Sequence, residues 1–131
     1  MISEDYVKII STDKAPAAIG PYSQAIEHNG MVYCSGQISL TAAGEGPIGD
    51  TVEEQAVQVM KNIKAVLEAA GTSLDRVVKS TIFLTDMNDF AAVNKVYGEA
   101  LGSHRPARST VAVSALPKAV KVEIEVMAAV E

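Results

Sequence analysis

The chain has 131 residues, of which 48% are hydrophobic and 21% charged, a composition that excludes a disordered chain and predicts one folded domain over residues 1–131. Its net charge of −5 argues against nucleic acid as a partner, because proteins that bind nucleic acids usually present a positive field. A single cysteine rules out an intrachain disulfide, and no stretch approaches the roughly 18 apolar residues of a membrane span. We therefore expect a cytoplasmic protein with no membrane partner.

The first third of the chain is predicted to form strands. Residues 6–11 are rich in β-forming side chains, and residues 23–28 and 31–35 flank the dipeptide Asn29-Gly30. Asn and Gly tolerate positive φ, which a type I′ turn requires, so the second and third segments should form a β-hairpin.

A long helix is predicted next. Thr51 and Glu54 have the spacing of a capping box, in which each side chain accepts a hydrogen bond from the backbone of the other. Apolar residues recur at helical spacing over residues 52–70, and Gly71 suits the left-handed position at which many helices end.

The remaining pattern alternates strands with one further helix. Strands are predicted over residues 77–85, 109–115 and 121–130, and a helix over residues 89–101. The predicted order is two or three strands, a helix, a strand, a helix and two strands. This order predicts an α+β fold, with a single mixed β-sheet and two helices packed on one face.

Alternation along the last two strands predicts which side chains lie under the helices. On the last strand these are Val122, Ile124 and Val126, with Glu123, Glu125 and Met127 on the outer face. On the preceding strand they are Val111, Val113 and Ala115, with Thr110, Ala112 and Ser114 on the outer face. This outer face is too apolar to be fully solvated, so we expect another copy of the chain to cover it.

Metal binding and nucleophilic catalysis have little support in the sequence. His28 and His104 are far apart and belong to no spaced Cys/His set. Cys34 lies within a predicted strand, where a cysteine is most often a small buried hydrophobic residue. Gly44 and Gly46 are interpreted as loop glycines rather than as part of a phosphate-binding motif, and no GxSxG motif occurs.

Arg108 is the best candidate for binding a ligand. Pro106 fixes the backbone just before it and a predicted strand follows, so the root of the side chain should be rigid. A guanidinium binds a carboxylate through two parallel hydrogen bonds, which predicts a small carboxylate-bearing metabolite as the ligand. A solvated surface charge is the alternative. Glu123 and Glu125 lie on the partly covered outer face, so at least one of them should need a partner.

An ordered set of motifs runs through the chain. They are residues 15–24, Ser35-Gly36-Gln37, Asp89-Phe90 with Asn94 and Tyr97, Pro106-Ala107-Arg108-Ser109, Leu116-Pro117 and Val122-Glu123-Ile124-Glu125. Together they resemble the Rid family of reactive-intermediate (enamine/imine) deaminases, also called YjgF-like proteins, over essentially the whole chain.

The resemblance implies a fold similar to the chorismate mutase of bacilli, in a homotrimer whose substrate clefts lie between subunits. It also implies the activity of a 2-iminobutanoate/2-iminopropanoate deaminase. Such an enzyme hydrolyses short 2-imino acids, the tautomers of 2-aminoacrylate and 2-aminocrotonate, to 2-oxo acids and ammonia. No metal and no organic cofactor is expected.

The resemblance assigns roles to site residues as well. Arg108 is expected to clamp the substrate carboxylate, Glu123 to hold the attacking water or move its proton, and Tyr22 to close the pocket and orient the imine. The expected substrate-binding residues are Ser35, Gly36, Asn94 and Thr110. Many family members have Cys where this chain has Thr110, so a thiol nucleophile is excluded there and a contact through the backbone carbonyl is expected.

Two other functions stay open on the sequence. The same cleft could bind 2-oxo acids as a regulatory module without turnover, since Arg108 would serve both roles. RNA cleavage or inhibition of translation, activities reported in the family, fits less well with the acidic charge and the absence of a His pair.

Overall fold

The computed structural model describes residues 6–130 and shows a six-stranded sheet with two helices against one of its faces. The strands are β1 (Lys8–Ile10), β2 (Ala25–His28), β3 (Met31–Cys34), β4 (Val77–Leu84), β5 (Ala107–Ala112) and β6 (Val122–Ala129), and the helices are α1 (Val52–Ala69) and α2 (Phe90–Leu101). The strand order across the sheet is β1-β2-β3-β6-β4-β5, with β4 and β5 parallel and the other neighbours antiparallel. The predicted α+β fold with a single mixed sheet is confirmed. Within residues 6–130, neither helix has the length and apolar character needed to cross a membrane.

Local sequence signals set the turns and helix ends as predicted. Asn29 and Gly30 have φ values of 52° and 80°, so both occupy the left-handed region that the hairpin between β2 and β3 requires. Thr51 and Glu54 form both hydrogen bonds of the capping box at the start of α1. Gly71, with φ of 85°, follows the end of the same helix.

The core lies between the helices and the facing side of the sheet. Val122, Ile124 and Val126 of β6 are at most 3% exposed, and Ile63 and Leu67 of α1 are fully buried. Burying each such side chain stabilises the fold by roughly 1.5–3 kcal/mol. The predicted alternation along β6 is confirmed.

The predicted orientation of β5 is wrong. Arg108 and Thr110 lie opposite the buried residues Ser80 and Ile82 of β4, so they occupy the helix-facing side. Val111 lies on the outer face and is 41% exposed. Sequence alternation assigned the valine to the core, but β5 is an edge strand whose outer face is also apolar. Arg108 carries a charge, and the aromatic and polar groups of α2 offset the cost of placing that charge on the inner face.

The boundaries of β5 also differ from the prediction of residues 109–115. The strand spans Ala107–Ala112, because β5 has β4 as its sheet neighbour and β4 ends at Leu84. The predicted inward and outward positions at residues 113–115 therefore lie outside the strand.

Buried amide side chains of α1 hold the loop that follows β3. Asn62 is 2% exposed, and its Nδ2 donates to the carbonyl oxygens of Ile38 and Leu40 at 3.2 and 2.9 Å. Gln55 is also buried, and its Oε1 accepts from the backbone N–H of Lys121 at 2.8 Å. These bonds fix two segments that border the cleft described below.

Candidate functional site

The side chain of Arg108 lies between β5 and α2. Its Nη1 donates to Asn94 Oδ1 at 2.6 Å, and its Cζ lies 5.4 Å from the ring centre of Phe90 and 5.3 Å from that of Tyr97. Contact with aromatic faces favours a guanidinium and restricts its orientation. We call Arg108, Asn94, Phe90 and Tyr97 the arginine cluster.

Helix α2 and strand β4 fix the arginine cluster. Tyr97 is 5% exposed, and its hydroxyl donates to Ser80 Oγ at 2.8 Å. Ser80 lies directly opposite Arg108 in the parallel pair of β4 and β5. Within residues 6–130, Arg108 forms no ion pair. Its positive charge is therefore available to an anionic ligand.

Thr110 adds a polar group to the crevice beside Arg108, which Ile82 and Leu84 also line. The Thr110 hydroxyl is buried and has no hydrogen-bond partner in the described part of the chain. A buried hydroxyl without a partner costs about 1–3 kcal/mol. The crevice has no room for a water molecule, so within one chain the hydroxyl is closed to a ligand.

A second group of predicted residues surrounds a cleft of about 390 Å³. Its lining includes Tyr22, Gly36, Lys118 and Glu123, and we call it the glutamate cleft. Tyr22 is 55% exposed at this site, as a residue that closes over a ligand would be. Lys118 was not predicted, because a lysine in a turn carries no local signal of function.

Glu123 is the acid of the glutamate cleft. Its side chain is half-buried, and this burial raises the pKa of its carboxyl above the ordinary value, with a further contribution from the Glu125 carboxylate. The two acids lie two residues apart on one face of β6, so their charges repel each other. A carboxylate with a raised pKa is a stronger base than an ordinary one.

The backbone at Gly36 packs against the Glu123 carboxyl. A Cβ atom at Gly36 would overlap Glu123 Oε2, so any larger residue would displace the acid. Gln37 and Ile124, the residues that follow Gly36 and Glu123, keep the two segments close through a pair of backbone hydrogen bonds of 2.9 and 3.2 Å. Gly36 therefore sets the position of the carboxyl.

Ser35 stabilises the backbone beside the glutamate cleft. Its hydroxyl donates to the carbonyl oxygen of Ser23 at 2.6 Å, and its backbone N–H donates to the carbonyl oxygen of Gln24 at 2.9 Å. The hydroxyl proton is already engaged, so a substrate contact at Ser35 would use the oxygen as acceptor.

Gln24 is a structural residue that sequence analysis did not single out. Its side chain is 4% exposed, and Nε2 donates to the carbonyl oxygens of Thr12, Ala15 and Pro16. These bonds shape the loop that forms one side of the glutamate cleft. The signal available in the sequence was its place at the end of the motif over residues 15–24.

The arginine cluster and the glutamate cleft lie on opposite faces of the sheet in one chain. Arg108 contacts α2, whereas Glu123 lies between the buried residues Val122 and Ile124 of β6 and points away from the helices. The predicted outward orientation of Thr110 would have placed Arg108 on the same face as Glu123. Because the side chains of β5 alternate in the opposite sense, Arg108 faces the helices. One chain therefore does not bring the two groups together around one small molecule.

Cys34 belongs to neither group. It is 8% exposed, and burial raises the pKa of its thiol to about 12, so the thiol stays protonated at neutral pH. The prediction that Cys34 is a small buried hydrophobic residue is confirmed. Over residues 6–130, no three His, Cys, Asp or Glu side chains are grouped so that they could hold a metal ion.

Comparison with known proteins gives consistent matches over nearly the whole chain. The family model described as endoribonuclease L-PSP matches residues 12–130. The mouse protein named 2-iminobutanoate/2-iminopropanoate deaminase is 46% identical over 121 residues, covering 92% of this chain and 90% of the mouse protein. A Rid-family protein from Yersinia pestis, described as of unknown function, is 50% identical with a TM-score of 0.93, covering 95% of this chain and 100% of that one. The structure of E. coli TdcF with bound serine is 45% identical with a TM-score of 0.88, covering 95% and 99% of the two chains.

Proposed function

The chain belongs to the Rid family, and we propose that it hydrolyses short 2-imino acids to 2-oxo acids and ammonia. The substrates are the imines related to 2-aminoacrylate and 2-aminocrotonate, which makes the protein a 2-iminobutanoate/2-iminopropanoate deaminase. One observation carries the proposal: the fold holds in place both a guanidinium that forms no ion pair within residues 6–130 and a half-buried carboxyl with a raised pKa. The name of the mouse relative and the serine bound to TdcF support a small carboxylate with nitrogen on C2.

The proposed site forms between subunits of a homotrimer, because one chain holds its arginine cluster and its glutamate cleft on opposite sheet faces. The outer face carries the exposed apolar side chains Ile9, Tyr33 and Val111, whose burial would favour assembly by roughly 25 cal/mol per Å². A neighbouring copy on this face would bring an arginine cluster to the glutamate cleft. The family resemblance supplies the number three, and a monomer by light scattering would contradict this assembly.

In the proposed reaction, the two groups have separate tasks. Arg108 clamps the substrate carboxylate and fixes the imine carbon near the glutamate cleft. Glu123 accepts a proton from water as the water oxygen attacks that carbon, and the C=N electron pair moves to nitrogen. Glu123 returns this proton to nitrogen, which gives a tetrahedral carbinolamine. It then carries the hydroxyl proton to the same nitrogen, so that the C–N bond breaks, ammonia leaves and the C=O bond forms. One imine and one water thus give one oxo acid and one ammonia.

The remaining predicted residues support these steps. Asn94 holds the Arg108 guanidinium, and Tyr22 closes the glutamate cleft over the imine. Thr110, where many family members have Cys, contacts the substrate through its backbone carbonyl. Since the reaction needs no covalent intermediate with the protein, the missing thiol leaves the chemistry intact.

On acidification, the catalysed rate should fall at a higher pH than it would with a glutamate of ordinary pKa. The folded-state pKa of Glu123 is raised, so the carboxylate takes up its proton, and ceases to act as a base, at a higher pH than a free side chain. Glu125→Gln removes one cause of the raised pKa and should move the acidic limb of kcat/KM to lower pH. An acidic limb that stays in place in this variant would assign it to a different group.

Gly36→Ala should lower kcat about tenfold or more, because the added methyl group displaces the Glu123 carboxyl and small misplacements of a catalytic group are costly. Steady-state kinetics would measure the loss. Gly98→Ala is the matched control, since a Cβ there meets no atom within 4 Å. A fully active Gly36→Ala variant would contradict the assigned position of the acid.

The direct test of the proposed function generates 2-aminoacrylate or 2-aminocrotonate with a dehydratase and traps the imine with semicarbazide. A catalyst should suppress the trapped adduct and speed formation of the oxo acid. No effect at stoichiometric protein would exclude the deaminase. Binding of the oxo acid without any turnover would favour the regulatory module instead.

A further inference from the structure

Two consecutive residues other than glycine have left-handed backbone in the turn between β5 and β6. Lys118 has φ of 56° and ψ of 25°, and Ala119 has φ of 57°. The backbone N–H of Val120 donates to the carbonyl oxygen of Pro117 at 3.3 Å, which closes a turn of type I′. Residues with a Cβ atom disfavour this conformation, and Asn-Gly is the usual solution. The hairpin between β2 and β3 uses that solution, whereas this turn is strained.

The strained turn places Lys118 at the glutamate cleft. Lys118 and Glu123 are the two charged side chains in the lining of the cleft. Lys118 forms no ion pair with any other residue in the described range, so no structural salt bridge accounts for its position. Val120, directly after the turn, is 1% exposed and anchors the turn to the core. Backbone strain of this kind concentrates at functional sites.

We propose that Lys118 is a substrate-binding residue that attracts the anionic substrate into the glutamate cleft. This inference rests on the proposed imine hydrolysis. The chain has a net charge of −5, and the acids on β6 add negative charge beside the cleft, so an imino acid carboxylate is repelled on approach. An ammonium group at the rim offsets this repulsion, raises the association rate and loses its effect as salt screens the charges.

Three variants separate the charge of Lys118 from the strain of the turn. Lys118→Asn removes the charge and suits left-handed backbone. Ala119→Gly relieves strain and keeps the charge, and Lys118→Arg keeps both the charge and the strain.

We expect Lys118→Asn to raise the melting temperature by about 3 °C while lowering kcat/KM about three- to tenfold at low ionic strength. The loss should shrink in 0.5 M salt (about a 4 Å screening length). Ala119→Gly should raise the melting temperature with kcat/KM unchanged, and Lys118→Arg should keep the kcat/KM of the unmodified chain.

Unchanged kcat/KM of Lys118→Asn at low salt would overturn the role of Lys118 while leaving imine hydrolysis in place. Absence of turnover in the unmodified chain would instead contradict the proposed function. In that case calorimetric titration with 2-oxobutanoate decides the point. Weaker binding to Lys118→Asn than to the unmodified chain would support attraction of the anion, and equal binding would overturn it.

Discussion

Replacing Arg108 with methionine should lower kcat/KM for imine hydrolysis by about 10²- to 10⁴-fold. Charge-assisted hydrogen bonds contribute roughly 1.5–3 kcal/mol each, and two such bonds to a carboxylate are lost in the variant. The methionine side chain retains apolar contact with the rings of Phe90 and Tyr97, so the fold should persist. Steady-state kinetics with a dehydratase-generated imine, together with thermal melting, measures both effects.

Arg105→Met is the matched control for this variant. Arg105 lies three residues earlier, and its Nη1 donates to the backbone carbonyl oxygens of Gly102 and His104 at 2.7 and 2.8 Å. Loss of its charge should change kcat/KM by no more than a few-fold. Equal losses in Arg105→Met and Arg108→Met would point to a general effect of positive charge rather than to a carboxylate clamp.

Glu123→Gln should lower kcat by about 10²- to 10⁴-fold, the usual contribution of a general base, while binding of 2-oxobutanoate stays largely intact. The amide has nearly the shape of the carboxyl but accepts no proton from water. Because the folded-state pKa of Glu123 is raised, the ionised carboxylate destabilises the fold at neutral pH. The variant should therefore melt at the same temperature as the unmodified chain or higher.

Glu125→Gln is the control for the acid. Glu125 lies on the same strand and the same face, but it is exposed, and its loss should leave kcat at neutral pH nearly unchanged. Imine clearance by Glu123→Gln at the normal rate would show that another group activates the water. Loss of oxo-acid binding in the same variant would show that Glu123 serves binding rather than catalysis.

The features that the sequence predicted well are those that short-range chemistry determines. The hairpin at Asn29-Gly30 follows from two positive φ values, and the start of α1 follows from the paired side chains of Thr51 and Glu54. The alternation of β6 follows from burial on a central strand, where one face lies fully under the helices. In each case the local preference and the tertiary environment agree.

The features that the sequence predicted poorly depend on neighbours distant in the chain. The phase of β5 is set by the contact of Arg108 with α2 and by pairing with β4, and simple alternation assigned the valines to the core instead. Lys118 has a strained backbone that no local preference would choose. The placement of Arg108 and Glu123 on opposite faces of the sheet could not be predicted from either residue alone. It depends on which side chains of β5 and which of β6 face the helices.

In the proposed assembly, Arg108 of one chain and Glu123 of another share a site. Co-assembly of Arg108→Met with Glu123→Gln in equal amounts tests it most directly, because each variant supplies the residue that the other lacks. In a randomly mixed ring, a site is intact when one subunit supplies Arg108 and its neighbour supplies Glu123, which holds for about a quarter of the sites. Imine clearance should therefore recover to about a quarter of the normal level. Activity no higher than that of the two separate variants, in assemblies shown to be mixed, would contradict a shared site.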